Sequence, residues 1–303
     1  MDGVLVVDKP AGPTSHDVVA RVRRALRTKR IGHTGTLDPL ATGVLPLVIG
    51  RATRLASLLS GAEKEYVAGV RLGLATDTYD ADGRAGPPPG APAGIDFAEI
   101  ERALDRFRGI FDQAPPAYSA KKIDGVAAYK LARRSMPVQP RPVSVSVSHL
   151  SLEAYEDGLA RLRVRASAGF YVRSLAHDLG QGLGCGGHLE TLRRVRSGAF
   201  GEEAATPLDT IDRDGLDAAR LIVPLERLLP EVPFVVLNER GVRRAAHGNE
   251  LAPEDRVDPQ PFGGVPNDDG SQGRWRLLDG AGMLLAIAES RPGGLLHPVI
   301  VLV

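Results

Sequence analysis

Residues 30–46, RIGHTGTLDPLATGVLP, surround one carboxylate, Asp38, with three glycines and two prolines, and His33 stands five positions upstream. Glycine lets backbone approach a ligand closely, and proline stiffens a loop. That combination suits a side chain that must be held in position while it reacts. An Asp-Pro pair also starts ordinary turns. The residue types therefore make Asp38 a candidate and leave its reaction open: a hydrolytic glycosidase needs two carboxylates, whereas a single nucleophilic one serves a reaction that uses no water.

Other patterns carry less. Residues 182–187, GLGCGG, fit GxGxxG but follow a helical stretch where a dinucleotide site requires a strand. Residues 119–122, SAKK, fit SxxK, a four-position pattern expected often by chance. Cys185 and His188 are two metal ligands where three or four are needed, and His188 reads as a helix-start or surface residue. No P-loop and no HExxH occurs. The sequence implies neither a metal nor a cofactor.

The elements that must position Asp38 follow from periodicity. VLVVDKP (4–10) reads as a strand. TSHDVVARVRRALRTKR reads as a helix capped by Thr14 or Ser15, with Val18, Val22 and Leu26 at helical spacing and six Lys/Arg on its other face and end. ATGVLPLVIG and EYVAGVRLGL read as strands, the second alternating Tyr66, Ala68, Val70 and Leu72. DADGRAGPPPGAPAGID (80–96) is a Pro/Gly loop, and Asp96 caps a helix carrying Ile100, Leu104 and Phe107. A basic segment is helical from Gly125 to Arg134. Two alternating runs flank Asp157-Gly158 as a hairpin. FYVRSLAHDLGQGL is a helix ending in glycines, and Leu192 falls in a further helical stretch. From about residue 231, FVVLN, RWRLLDG, MLLAIAES and HPVIVLV are short strands of a small, acidic, all-β domain, with a Pro/Asp/Gly-rich loop at 252–273.

The chain has 303 residues, 43% hydrophobic and 25% charged, enough for more than one domain. No apolar run approaches the roughly 18 residues of a membrane span. No signal peptide is evident, and the single cysteine excludes an internal disulfide; a cytoplasmic protein is expected. The net charge of +1 conceals an uneven distribution. Residues 1–60 carry nine Lys/Arg against four Asp/Glu and residues 118–200 thirteen against six, while 61–117 carry six against ten and 201–303 ten against seventeen. If the two basic blocks meet in space, they form the footprint of a polyanion.

GHTGTLDPLATGVLP resembles the catalytic-aspartate motif of the TruB-type tRNA pseudouridine synthases, nearly letter for letter. VLVVDKPAGPTSHDVV resembles the N-terminal Lys-Pro motif of that family, and KEYVAGVRLGLATDTYDADG its tyrosine-bearing strand. PPAYSAKKIDGVAAYKLAR, GFYVRSLAHDLG and HLETLRRVRSGAF follow in the family's order, so the resemblance spans residues 4–200. Phe170 departs from it, standing where members often have threonine.

The resemblance implies an α+β fold: a mixed, largely antiparallel sheet with flanking helices and a central RNA-binding cleft. Residues 1–230 would be the catalytic domain, with an RNA-gripping insertion at about 118–138, and residues 231–303 a PUA-like small β-barrel. The implied reaction converts uridine 55 in the T loop of tRNA to pseudouridine, after the base has been flipped from its stack. Asp38 would be the nucleophile, Arg173 the cation that a carboxylate in a dry pocket needs to stay charged, and Tyr66 the ring that stacks on the base. His33 would fill the vacated stack, and Tyr171 and Leu192 would line the pocket. Lys121, Lys122 and Lys130, with Arg133 and Arg134, would contact phosphates. Lys9, Pro10 and Gly35 would support the active-site loop. The T arm of tRNA is the expected partner, without an obligate protein partner, and the protein is expected as a monomer. The alternatives are an RNA-binding folding assistant for tRNA whose role does not require catalysis, and a subunit guided by a separate RNA.

Overall fold

The structure, a computed structural model, describes residues 1–86, 94–118, 140–258 and 273–303, with the backbone of 122–123 and 126–127. Lys121, Lys130, Arg133, Arg134 and the side chain of Lys122 lie outside the described residues. So does the helix expected at 125–134, except at Val126–Ala127, which form a strand instead.

Strands β1 (Gly3–Lys9), β2 (Ile31–His33), β3 (Thr42–Ile49), β4 (Lys64–Leu72) and β5 (Gly109–Gln113) precede a two-stranded pair, β6 (Lys122–Ile123) and β7 (Val126–Ala127). After them come β8 (Val143–Glu156), β9 (Leu159–Ala166) and β10 (Gly187–Ser197), then the short β11 (Phe200–Gly201), β12 (Thr206–Pro207) and β13 (Val223–Pro224). Eight of the main sheet's 11 strands follow the path β12-β1-β3-β10-β4-β9-β8-β5, and β2, β11 and β13 pair beside it with β3, β10 and β1. Its pairs are antiparallel except β3 with β10 and β1 with β12, so the sheet is mixed and largely antiparallel as expected.

Helix α1 (Ser15–Ala25) starts with a capping box in which Thr14 and Asp17 satisfy each other's backbone N–H. It lays Val18, Val19, Val22 and Leu26 on Leu5, Val7, Leu45 and Leu47 of the sheet. Helix α2 (Ala56–Ser60) follows β3, and α3 (Phe97–Leu104) begins at Asp96, whose side chain accepts from Glu99 N–H. Helix α4 (Val172–Gly182) buries Leu175, Ala176 and Leu179 in the same core, joined by Leu208 and Ile211 of α5 (Leu208–Asp214). The opposite faces of β1 and β3, through Val4, Val6, Val44 and Val48, pack with Leu284, Ile287 and Leu302 near the C-terminus. Burial on both faces explains why β1 reads as an unbroken apolar run.

Other sequence expectations are corrected. Residues 187–197 form a strand, β10, at the centre of the sheet, not a helical stretch. Register shifts against β4 at Leu189/Thr191 and Arg194/Arg196 put Leu189 and Leu192 on buried positions three apart, which mimics a helix. His188 is accordingly 7% exposed, and its Nδ1 lies 2.8 Å from the Leu74 carbonyl. The C-terminal part is not all-β: α6 (Glu239–Ala246) lies between β14 (Phe234–Val236) and β15 (Arg274–Leu278). Its apolar face is only Val242 and Ala245, too few to show a period; Asn238 caps it, and Arg240 and Arg244 reach the fully buried Asp255 at 2.9 and 3.4 Å. Among the described residues β14, β15, β16 (Leu284–Arg291) and β17 (Leu295–Val301) form a four-stranded sheet. Residues 251–257 meet both of its outer strands: Leu251 exchanges backbone hydrogen bonds with Leu296 of β17 at 2.8 and 2.9 Å, and Val257 N–H donates to the Val236 carbonyl of β14 at 3.0 Å. No described helix is long and apolar enough to cross a membrane.

Candidate active site

Asp38 lies on the connection between β2 and β3, and its neighbours fix that connection from two sides. Ser15, the first residue of α1, accepts from Leu37 N–H at 2.8 Å and donates to the Leu37 carbonyl at 3.1 Å. Lys9, at the end of β1 and fully buried, donates through Nζ to the carbonyls of Pro10 (3.0 Å), Pro39 (3.2 Å) and Ala41 (2.6 Å). Gly43 has φ +99°, and a Cβ there would lie 2.3 Å from the Arg194 carbonyl, so no other residue fits where the loop enters β3.

Arg173 comes from the first turn of α4. The start of that helix is pinned by Gln113, which is 2% exposed: it accepts from Tyr171 N–H at 2.8 Å and donates to the Tyr171 carbonyl at 3.0 Å. The guanidinium meets Asp38 side-on, Nε 2.9 Å from Oδ2 and Nη2 donating to Oδ1 at 3.1 Å. It also donates to the carbonyls of Thr78 (3.1 Å) and Tyr118 (3.0 Å), and Nη1 lies 3.5 Å from Asp80 Oδ2. The side chain of Arg173 is 6% exposed and that of Asp80 7%, against 32% for Asp38. One buried cation therefore serves two carboxylates, of which only Asp38 faces open space. Burial pushes the Asp80 carboxyl above the usual range, although Thr78 donates to it and Arg173 lies beside it.

The turn carrying Thr78 and Asp80 is bound to α4 a second time. The Tyr79 ring stacks on His177, one turn beyond Arg173, with centroids 3.8 Å apart and planes 12° apart. Tyr79 holds φ +67°, and its carbonyl accepts from Leu189 N–H at 2.9 Å.

These elements enclose a cavity of about 260 Å³ lined by Gly35, Asp38, Tyr66, Tyr171, Arg173 and Leu192, with Phe170, Lys64 and Arg194 among its other walls. Six of the residues singled out in the sequence thus share one space. Phe170, the departure from the family pattern, is buried in the core as well as on the cavity wall. His33 sits beside the cavity, one residue before its lining residue Thr34, with the His16 ring edge-on at 5.6 Å between centroids. Burial, with His16 and Arg194 nearby, lowers the His33 pKa and favours a neutral ring. Lys9 and Pro10 stand behind the loop and do not line the cavity.

The sequence reading missed four contributors. Asp80 was assigned to a proline loop, and Gln113 lies on the unpredicted edge strand β5. Lys64 and Arg194 sit beneath Gly35: Lys64 donates to the carbonyls of Ser60 and Ala62, and Arg194, 1% exposed, to those of Val44 (2.7 Å) and Gly35 (3.2 Å). A cluster of aspartates directly after the tyrosine-bearing strand is the one signal that pointed to Asp80. Among the described residues no group of three His, Cys, Asp or Glu side chains could hold a metal ion.

Burial lowers Lys9 and Lys64 from 10.5 to about 8. Between those values the unfolded chain binds more protons than the folded one, so these two groups make the unfolding free energy rise with pH from about 8 to 10.5. Lys9→Met removes part of that rise and leaves three carbonyls without a donor, lowering stability by about 3 kcal/mol. Urea unfolding of both proteins at pH 8 and pH 10 measures each effect. An unchanged midpoint for Lys9→Met at pH 8 contradicts the assigned support of the loop.

Residues 23–172 match the model of the TruB family pseudouridylate synthase N-terminal domain, and residues 173–230 that of the tRNA pseudouridylate synthase B C-terminal domain. A tRNA pseudouridine synthase B of Solibacter usitatus is 46% identical over 308 residues, covering 100% of both chains. One from Thermobifida fusca is 40% identical over 309 residues, covering 99% of this chain and 98% of the relative. Among solved structures, an H/ACA RNP bound to a substrate RNA containing 2'-deoxyuridine contains a chain that is 26% identical, with a TM-score of 0.74 over 99% of this chain and 85% of that one. A Cbf5-Nop10-Gar1 complex gives 27% identity and a TM-score of 0.73 over the same shares.

Proposed function

The chain belongs to the TruB family of pseudouridylate synthases and has the pseudouridine synthase fold, and on that premise we propose that it converts uridine 55 in the T loop of tRNA to pseudouridine. The observation that carries the reading is the Asp38–Arg173 pair, 135 residues apart in sequence, at the wall of a cavity that also holds Tyr66 and Leu192.

The reaction breaks the bond from ribose C1′ to uracil N1, turns the base, joins C1′ to C5, and moves the C5 hydrogen to solvent while N1 gains a proton. No water is consumed and nothing is oxidised, so one carboxylate suffices. Asp38 is the nucleophile, whether toward base or sugar. Arg173 holds both of its oxygens, so the carboxylate meets the substrate in one orientation. Tyr66 stacks on the flipped base, a contact worth roughly 1–3 kcal/mol, and its hydroxyl helps remove the C5 proton. Tyr171 and Leu192 close the cavity around the base, and His33 takes its place in the stack. Residues 118–138 grip the T arm through Lys121, Lys122 and Lys130. Residues 1–230 are the catalytic domain, and 231–303 a PUA-like RNA-binding domain. The protein acts as a monomer in the cytoplasm, without a guide RNA or partner protein.

The purified chain alone, given an unmodified tRNA transcript with tritium at uridine C5, releases the label of one uridine per tRNA, and that uridine lies in the T loop. No release without added factors overturns the reading of a stand-alone synthase.

A further inference from the structure

We infer that the exposed stripe of α1, running from His16 to Arg24 and continuing through Arg27 and Lys29, is a binding surface for the RNA backbone that leaves the flipped nucleotide. The inference rests on the proposed reading that the chain acts on tRNA.

Much of the basic charge anticipated from the sequence is already taken. Arg163 and Arg165 pair with Glu65, Arg193 with Asp8 and Glu202, Arg21 with Asp209 and Asp212, and Arg51 with Asp2. The end of α1 differs: Arg23, Arg24, Arg27, Lys29 and Arg30 are all exposed, and among the described residues none meets a carboxylate. Arg23 donates to the Ile31 carbonyl and Arg30 to Thr53, while Arg24, Arg27 and Lys29 have no side-chain partner there. Arg27 also holds φ +48°, at a helix end where glycine is the least costly residue.

The stripe is connected to the site. The buried face of α1 lies on the core side of the main sheet, the side toward which Tyr66 packs. His16, Ala20, Arg23 and Arg24 are exposed at intervals of three and four, so they share one face of the helix. At one end of that face the His16 ring meets His33 beside the cavity. At the other, about 12 Å along the axis, stand the unpaired cations. A polyanion strand leaving the cavity past the two histidines reaches them without crossing an acidic side chain of α1: Asp17, the one such residue, is occupied by Thr14. Contacts of this kind position RNA without reading its bases.

The test is direct titration of an unmodified tRNA transcript at several salt concentrations. With Arg24→Ala/Arg27→Ala, the slope of log Kd against log salt falls by about 1.5, and binding at 100 mM salt weakens roughly tenfold. The loss falls on KM rather than kcat. Arg161→Ala, an exposed arginine on the opposite face of the sheet, serves as the control and leaves the slope at the wild-type value. An unchanged slope and Kd in the double variant, or an equal change in the control, overturns the inference. If wild type binds tRNA with a slope the double variant lowers, yet forms no pseudouridine, the surface stands and the proposed activity falls.

Discussion

Asp38→Asn protein binds unmodified tRNA within about threefold of wild type and converts it at least about 10⁴-fold more slowly. The amide keeps the size of the carboxylate, so the cavity does not change shape. Arg173 retains the Thr78 and Tyr118 carbonyls and Asp80, so α4 and the 76–83 turn stay joined. What disappears is the proposed nucleophile, because an amide does not supply the electron pair that an ionised carboxylate does. Filter binding and single-turnover conversion on one preparation separate the two effects. Conversion within tenfold of wild type would remove Asp38 from the chemistry. Lost binding together with lost conversion would instead make it a structural residue of the loop.

Arg173→Met unfolds about 3–5 kcal/mol more easily than wild type and is inactive. The guanidinium lies between two carboxylates, and its removal leaves Asp80, 7% exposed, as a buried charge without its partner. Arg173→Lys does not rescue it: one ammonium cannot span two oxygens of Asp38, one of Asp80 and two carbonyls, which the planar fork reaches together. The double variant Arg173→Met/Asp80→Asn separates stability from activity. Neutralising Asp80 removes the unpaired charge and restores much of the lost stability, but conversion stays absent because Asp38 is no longer oriented. Urea unfolding and conversion assays on the three proteins check this. A single variant that melts with wild type, or a double variant that regains activity, contradicts the assigned role.

The parts of this architecture that depend on local chemistry were legible in the sequence. Thr14 and Asp17 announce the start of α1, Asp96 caps α3, and Asp157-Gly158 turns the β8–β9 hairpin, because caps and tight turns are determined by residues within a few positions of one another. The alternation of β4 located Tyr66 on a strand. The resemblance to a family singled out Asp38 and Arg173, which no local pattern links. Reading failed where tertiary structure overrides period. In β10 two bulges convert strand alternation into a spacing of three, so a central strand carrying Leu192 and Arg194 was read as helical. In α6 the contacts that hold the helix are ion pairs to a buried Asp255 rather than an apolar stripe. Asp80 was missed for a related reason: its role exists only once Arg173 is brought to it from α4, and the glycine- and proline-rich residues after it suggested a loop without function.

The proposed reaction requires a uridine placed between Asp38 and Tyr66. A structure of Asp38→Asn protein bound to an unmodified T-arm hairpin tests this most directly. The expected complex has the uracil of position 55 out of its stack, its face on the Tyr66 ring and its glycosidic bond within contact of residue 38, with Arg173 still held by Asp80. A bound hairpin with that uridine still stacked in the loop, or a flipped base lodged elsewhere with the cavity empty, would contradict it.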